Sequence, residues 1–382
     1  MLAIIDAGKW QDIIDLRSGR SVSAEPQDYL PLRKIVAENP YPGDDSDASI
    51  DWVRKTSEDV LDYHDPDFLL QSYTQPLFAE VYHELDRTSA AARQKRILDD
   101  INAVASKYGM EPVTVFCGGY LPLKGEITQP EGTQGLLESW AWGVSLAAFS
   151  QSGEGDEAII RSMPHIASIK PKKEFFSEHN ELSASFKEFF PDYALMAEPG
   201  YAFRGYNTHN GIMYAADICE EYLPVRSAVG KPETILQILP LIRTALTEGK
   251  KVLLSVIEGY DARVFPQGFT QMANRDEWYC YRGLDLYMAL CTGKHFYEGD
   301  IAPVYDRTKP KSQNKDYPMS GFLHGFPKWS IGDIPGKRTA VVSSRSMVTH
   351  MIAKADIAIE CFNRERTKMG VLCSFKPETI EK

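Results

Sequence analysis

No apolar run in this sequence approaches the ~20 residues needed to cross a bilayer, so a transmembrane helix is not expected. The opening stretch, MLAIIDAGKW, lacks the charged leader and long apolar core of a signal peptide. Positive charge is also short. With 42 Lys and Arg against 53 Asp and Glu, the net charge is −11. Phosphate contact needs a basic face, so no general affinity for nucleic acid or for an anionic membrane is expected. Six cysteines (Cys117, Cys219, Cys280, Cys291, Cys361 and Cys373) are scattered through 382 residues with no CxxC spacing. That is too few for a disulfide framework in a chain this long, and the expectation is reduced, mostly buried thiols in a cytoplasmic protein.

Several catalytic signatures are missing as well. No GxGxxG follows a strand, so there is no nicotinamide or flavin signature. No GxSxG elbow marks a serine hydrolase, and no HxH or HExxH pair demands a metal. Gly332 to Gly336-Lys337 falls one residue short of a P-loop, and the acidic loop NPYPGDDSD lacks the spacing of a calcium site.

What is present is ordinary globular composition: 43% hydrophobic and 25% charged, enough for one large α/β domain with insertions or for two domains. Strands are expected at Leu2–Ile5, Phe68–Tyr73, Val113–Cys117, Tyr193–Ala197, Val252–Ile257, Thr339–Val342, Ile357–Cys361 and Val371–Phe375. Apolar periodicity predicts helices over Trp10–Asp15, Pro31–Glu38, Ile50–Tyr63, Thr88–Tyr108, Phe175–Phe190, Pro232–Glu248 and Met347–Lys354, with Gly109 and Gly249 closing two of them. The fold class that follows is α/β, a mostly parallel sheet with helices on both faces and an inserted cap. Residues 1–130 and 174–262 form the core in this reading. Residues 131–173, with Trp140 and Trp142, form an insertion or cap. Residues 263–338 form an irregular aromatic-rich extension, and 339–382 a closing α/β segment.

In open α/β sheets the loops leaving the carboxyl ends of strands build the ligand site. Here those ends deliver Asp6, Cys117-Gly118-Gly119, Glu198, Glu258, Ser343-Ser344-Arg345 and Glu360. The stretch Asp192–Gly211 adds Arg204, Asn207, His209 and Asn210 in one glycine-flanked loop. Ser343, Ser344 and Arg345 opening a helix would suit an anion through amides, hydroxyls and a guanidinium, or else a serine simply caps the helix. Asp6 is either a site residue or the cap of the helix after it. Glu198 and Glu258 together could also flank a glycosidic bond.

Three passages resemble the alkaline phosphatase superfamily, in particular its phosphodiesterase and nucleotide pyrophosphatase branch. These are AIIDAGKW, DPDFLLQSY with its long helix and VTVFCGGY, and FPDYALMAEPGYAFRGYNTHNG, together covering roughly residues 1–215. The resemblance implies a divalent metal, zinc or manganese, held by Asp6 and His209, and phosphoryl-transfer chemistry. The family's Asp-His pair after a strand is replaced here by Cys117-Gly118-Gly119, so the carry-over stops at those two residues.

The functional expectation is a hydrolase for a small anionic, phosphorylated substrate. Glu198, His209 and Glu258 would be its catalytic groups, and Arg204, Asn210, Ser343, Ser344 and Arg345 its substrate ligands. The alternatives are a carbohydrate-active enzyme using Glu198 and Glu258, or a catalytically silent binding or assembly protein. A homo-oligomer is left open.

Overall fold

The structure is a computed structural model that describes residues 2–7, 10–15, 20–21, 30–44, 46–83, 86–139, 145–179, 187, 190–204, 214–276, 279–295, 298, 327, 329–345, 349–365 and 368–375. The chain opens with β1 (Leu2–Ala7), β2 (Trp10–Asp15) and β3 (Arg20–Ser21), then α1 (Leu30–Glu38) and α2 (Ala48–His64). Next come β4 (Phe68–Tyr73), α3 (Gln75–Tyr82), α4 (Arg87–Tyr108), β5 (Met110–Pro122) and β6 (Gly125–Thr128). A middle stretch holds β7 (Leu136–Ser139), β8 (Leu146–Ser150), α5 (Asp156–Arg161), β9 (Ile166–Pro171), α6 (Lys172–Glu178), β10 (Tyr193–Ala197) and β11 (Tyr201–Arg204). The chain then returns through β12 (Ala215–Asp217), β13 (Tyr222–Ser227), α7 (Ile238–Thr247) and β14 (Lys251–Asp261). It continues with β15 (Thr270–Ala273), β16 (Arg275–Asp276), β17 (Tyr279–Cys280) and α8 (Gly283–Thr292). The last described elements are β18 (Thr339–Ser343), α9 (Thr349–Ala353), β19 (Ile357–Glu365) and β20 (Lys368–Phe375).

Twelve strands form one mixed sheet in the order β15-β13-β5-β14-β4-β18-β19-β20-β1-β2-β3, with β12 also paired to β5. Its centre, β5-β14-β4-β18-β19, is parallel throughout. Both wings are antiparallel. The mostly parallel sheet expected from the sequence therefore describes the centre alone. The wings are hairpins such as β1–β2 and β19–β20, whose connections are too short for the crossover that a parallel pair needs. Residues Trp10–Asp15, expected as a helix, are strand β2: Trp10, Ile13 and Ile14 fit a helical spacing, but pairing along β1 (Ile4 opposite Ile13) decides the outcome.

Alternation along the central strands sorts side chains to two faces. Phe68, Leu70, Val113, Val115, Val252, Leu254, Val256, Val341 and Ala358 pack under α7, α8 and α9. Leu69, Tyr73, Phe116, Leu253, Ile257, Ala340, Val342 and Ile359 pack under α1, α2 and α4. Each fully buried side chain of this kind stabilises the fold by about 1.5–3 kcal/mol. α4 shows why the helices sit where they do. Asp86 caps it by accepting from Thr88 N at 3.0 Å, Ile97, Ile101 and Val104 make its buried stripe, and Gly109 (φ +62°) ends it.

The middle of the chain builds something separate. β7-β8-β10-β9 form a four-stranded antiparallel sheet with its own apolar cluster of Leu137, Ala147, Phe149, Ile160 and Leu195. Strand β10, which the sequence reading places in the core, belongs here. Two other expectations change. β5 continues past Cys117 to Pro122 where a loop was expected, and the region read as irregular after residue 263 contains α8. Trp140 and Trp142 lie outside the described residues.

Candidate functional site at the carboxyl ends of the parallel strands

Strand β4 leaves the sheet toward β5 through α4, on one face, while β14 and β18 leave through α8 and α9 on the other. Connections that diverge in this way open a crevice at the carboxyl ends of the strands, beside β4. Register then decides which side chains meet there. Val115, Val256, Ser72, Ser343 and Glu360 lie in one row across five strands, and Cys117 lies beside Glu258 two residues further along their strands. Polar residues thus replace apolar ones at one end of a single face, the face covered by α8 and α9.

Glu258 is the centre of this cluster. It is buried, ion-paired through Oε2 with Arg345 Nη1, and accepts from Tyr287 OH at 2.8 Å through Oε1. Tyr287, presented by α8, also bonds Ser72 Oγ, and its ring lies 5.4 Å from the Arg345 guanidinium carbon. Burial works against the charge on Arg345, and the Glu258 carboxylate outweighs it, holding the guanidinium above its ordinary range. Among the described residues, Nε and Nη2 of Arg345 take no partner. A guanidinium has such donors in a planar fork that matches the oxygens of an anion.

A second carboxyl group stands close by. Glu220 is buried in the loop between β12 and β13, against Gly119; a Cβ on that glycine would come within 2.7 Å of Glu220 Oε1. Burial raises Glu220 to about 7, with the Tyr260 hydroxyl and the amides of Gly119 and Gly118 pulling it partly back. Its Oε1 is buried and has no hydrogen-bond partner among the described residues. A carboxyl group half-ionised at neutral pH can give or take a proton there. Both Glu258 and Glu220 act on Cys117, although burial is the larger cause of that thiol's upward shift, which keeps it a neutral thiol. Glu80, on α3, joins the same neighbourhood: burial raises it to about 8 and its Oε2 is unpaired. Gly259 (φ +92°) lets α3 sit this close, because a Cβ there would fall 2.3 Å from Leu77 N.

The remaining hydroxyls are engaged in structure. Ser344 clasps the ends of β4 and β18 together: its N and Oγ each donate to Ser72 O at 3.1 Å, and its Oγ accepts from Thr74 N at 2.9 Å. Ser343 Oγ accepts from Arg345 N at 3.0 Å and fixes the turn that aims the guanidinium. Glu360 binds the preceding helix, α9, accepting from His350 N at 2.9 Å and pairing with His350 Nδ1 at 2.5 Å.

Of the residues singled out in the sequence, Glu258, Ser343, Ser344 and Arg345 therefore come together. Glu198 does not join them. It ends β10 in the small sheet, exposed, 3.1 Å from His165. Arg204, on β11, pairs with Glu126 of β6 at 2.7 Å. Asp6 lies on β1, five positions along the sheet from β14 and so roughly 24 Å away at the ordinary strand spacing. His209 and Asn210 lie outside the described residues. Among the described residues no group of three or more His, Cys, Asp or Glu could hold a metal, and no helix is long and apolar enough to cross a membrane.

Sequence reasoning missed Glu220, Ser72 and Tyr287. Tyr287 had a signal: Leu286, Tyr287, Leu290 and Cys291 repeat at helical spacing ahead of Gly293, the C-cap at φ +67°. Glu220 had none nearby, since its environment comes from β5 and β14, far away in the chain. No protein-family model and no curated protein sequence matches this chain.

Proposed function

We propose that this chain is a hydrolytic enzyme acting on a small anionic, phosphorylated substrate at the carboxyl ends of β5, β14 and β18. One observation carries the reading: a largely buried Arg345–Glu258 pair, with guanidinium donors that take no partner among the described residues, stands near a carboxyl group, Glu220, poised at about 7. Arg345 Nε and Nη2 bind the substrate's anionic oxygens. Glu258, held by Tyr287, fixes the guanidinium and balances its charge. Glu220 takes a proton from the attacking water or gives one to the leaving oxygen. Zinc or manganese is expected from the family resemblance alone. The glycosidase alternative loses support because Glu198 and Glu258 belong to different sheets, one exposed and one buried.

The test is a screen of the purified chain against phosphomonoesters and phosphodiesters, with and without added zinc or manganese, alongside elemental analysis. Turnover with a pH inflection near 7 that disappears in Glu220→Gln is the expected result. Phosphate binding without turnover would instead favour the silent binding protein. Neither binding nor turnover would overturn the anion reading altogether.

A further inference from the structure

Cys219 and Cys280 stand on the two sides of Asn274. The Asn274 side-chain nitrogen donates to Glu220 O at 3.2 Å and to Tyr281 O at 2.9 Å, in each case one residue past a cysteine. Backbone bonds complete the clasp, from Asn274 N to Glu221 O at 2.9 Å and from Tyr281 N to Asn274 O at 3.2 Å. The two thiols meet in a sulfur–sulfur hydrogen bond, and Arg282 Nη2 approaches Cys219 Sγ at 3.9 Å. Cys219 is partly exposed and Cys280 buried, and neither is in a disulfide. The hydrogen bond from Cys280 is the largest influence on Cys219 and holds it below the ordinary thiol range; Arg282 acts in the same sense, against burial. A solvent-reaching thiol that ionises readily beside a second thiol is the arrangement that reversible oxidation requires.

We propose that Cys219 and Cys280 form a reversible dithiol–disulfide site, with Cys219 meeting a hydroperoxide and Cys280 resolving the product. The Cys219 thiolate attacks one peroxide oxygen and the O–O bond breaks. The other oxygen takes up a proton and leaves as water or an alcohol. Cys219 is now a sulfenic acid, and the hydroperoxide has been reduced by two electrons. The Cys280 sulfur then attacks the Cys219 sulfur, the S–O bond breaks, and the hydroxyl leaves as water with the Cys280 proton. The cross-link ties the segment carrying Glu220 to the segment that enters α8 and Tyr287. The proposal stands apart from the hydrolytic reading and needs no substrate to test.

The full chain is treated with hydrogen peroxide near pH 7, quenched by alkylation and mapped by mass spectrometry. The expected result is loss of two alkylatable thiols, a peptide linking Cys219 to Cys280, and full reversal by dithiothreitol. In Cys280→Ser, a dimedone probe should trap sulfenic acid at Cys219; in Cys219→Ser, Cys280 should stay reduced. Serine variants are checked by thermal melting, and the wild-type map decides the matter if either unfolds. Cys219 left unmodified, overoxidised beside an intact Cys280 thiol, or paired with a different cysteine would overturn the proposal.

Discussion

Two strands in this molecule place a carboxylate beside a basic side chain near their carboxyl ends, and the contrast between them separates chemistry from surface. Glu258 lies toward the carboxyl end of the central strand β14 of the large sheet; its side chain is 5% exposed and that of Arg345 11%. Glu198 ends β10 of the small sheet; its side chain is 49% exposed and that of His165 44%. In the first pair water is excluded, so the charges interact strongly and each depends on the other. In the second pair water screens both. The same residue types at the same kind of position thus differ in energetic consequence because of the layer that contains them.

The sharpest way to break this comparison is to remove the cation. Arg345→Met keeps side-chain bulk and leaves Glu258 buried and unpaired, and a stranded buried charge costs about 3–5 kcal/mol. Urea unfolding should register that loss, and the double variant Glu258→Gln with Arg345→Met should recover much of it. If the single variant stays within about 1 kcal/mol of the parent, the pair is not desolvated and the contrast fails.

Next in size is a pH effect on the buried side. Glu220 is raised from an ordinary 4.5 to about 7, chiefly by burial. Between those values the folded chain keeps a proton that the unfolded chain has released. Stability therefore falls as pH rises from about 4.5 to about 7, by about 3 kcal/mol in total, and Glu220 adds no further slope above that. Glu80, raised to about 8, extends the decline. Unfolding curves across pH 4.5–9 should show Glu220→Gln flattening the lower part of the slope and Glu80→Gln flattening it up to pH 8. An unchanged slope in Glu220→Gln would remove its assignment as the group poised at neutral pH.

How much of this was legible beforehand follows the same division. Central strands announce themselves because both faces are buried: Phe68–Tyr73 and Val252–Ile257 are predominantly apolar runs, the first matching β4 residue for residue and the second lying within the longer β14. Glu258, Ser343, Ser344 and Arg345, picked out because a strand's carboxyl end is a local feature, are brought together by the sheet. Glu198 was misread for a physical reason. Tyr193–Ala197 is as apolar as a central strand, but its partners are β8 and β9, and local sequence does not say which sheet a strand joins. Trp10–Asp15 failed similarly, since hairpin pairing overrode a helical spacing. Glu220 could not be read at all, because its character comes from Gly119, Tyr260 and burial between distant segments.

The smallest expected effect tests the exposed side. His165 stacks on Tyr201 with ring centroids 3.8 Å apart, so His165→Ala removes packing as well as the contact with Glu198, and a single substitution would mix the two. A double-mutant cycle of His165→Ala with Glu198→Ala isolates the pairing. Its coupling energy should fall below about 1 kcal/mol and shrink as salt is added, because exposed pairs are screened. Glu198→Gln should likewise leave phosphoester turnover within about twofold of the parent, while Glu258→Gln should lower it more than about tenfold. A coupling above about 2 kcal/mol, or a turnover loss in Glu198→Gln matching that of Glu258→Gln, would put the small sheet into the reacting centre and reopen the two-carboxylate glycosidase reading.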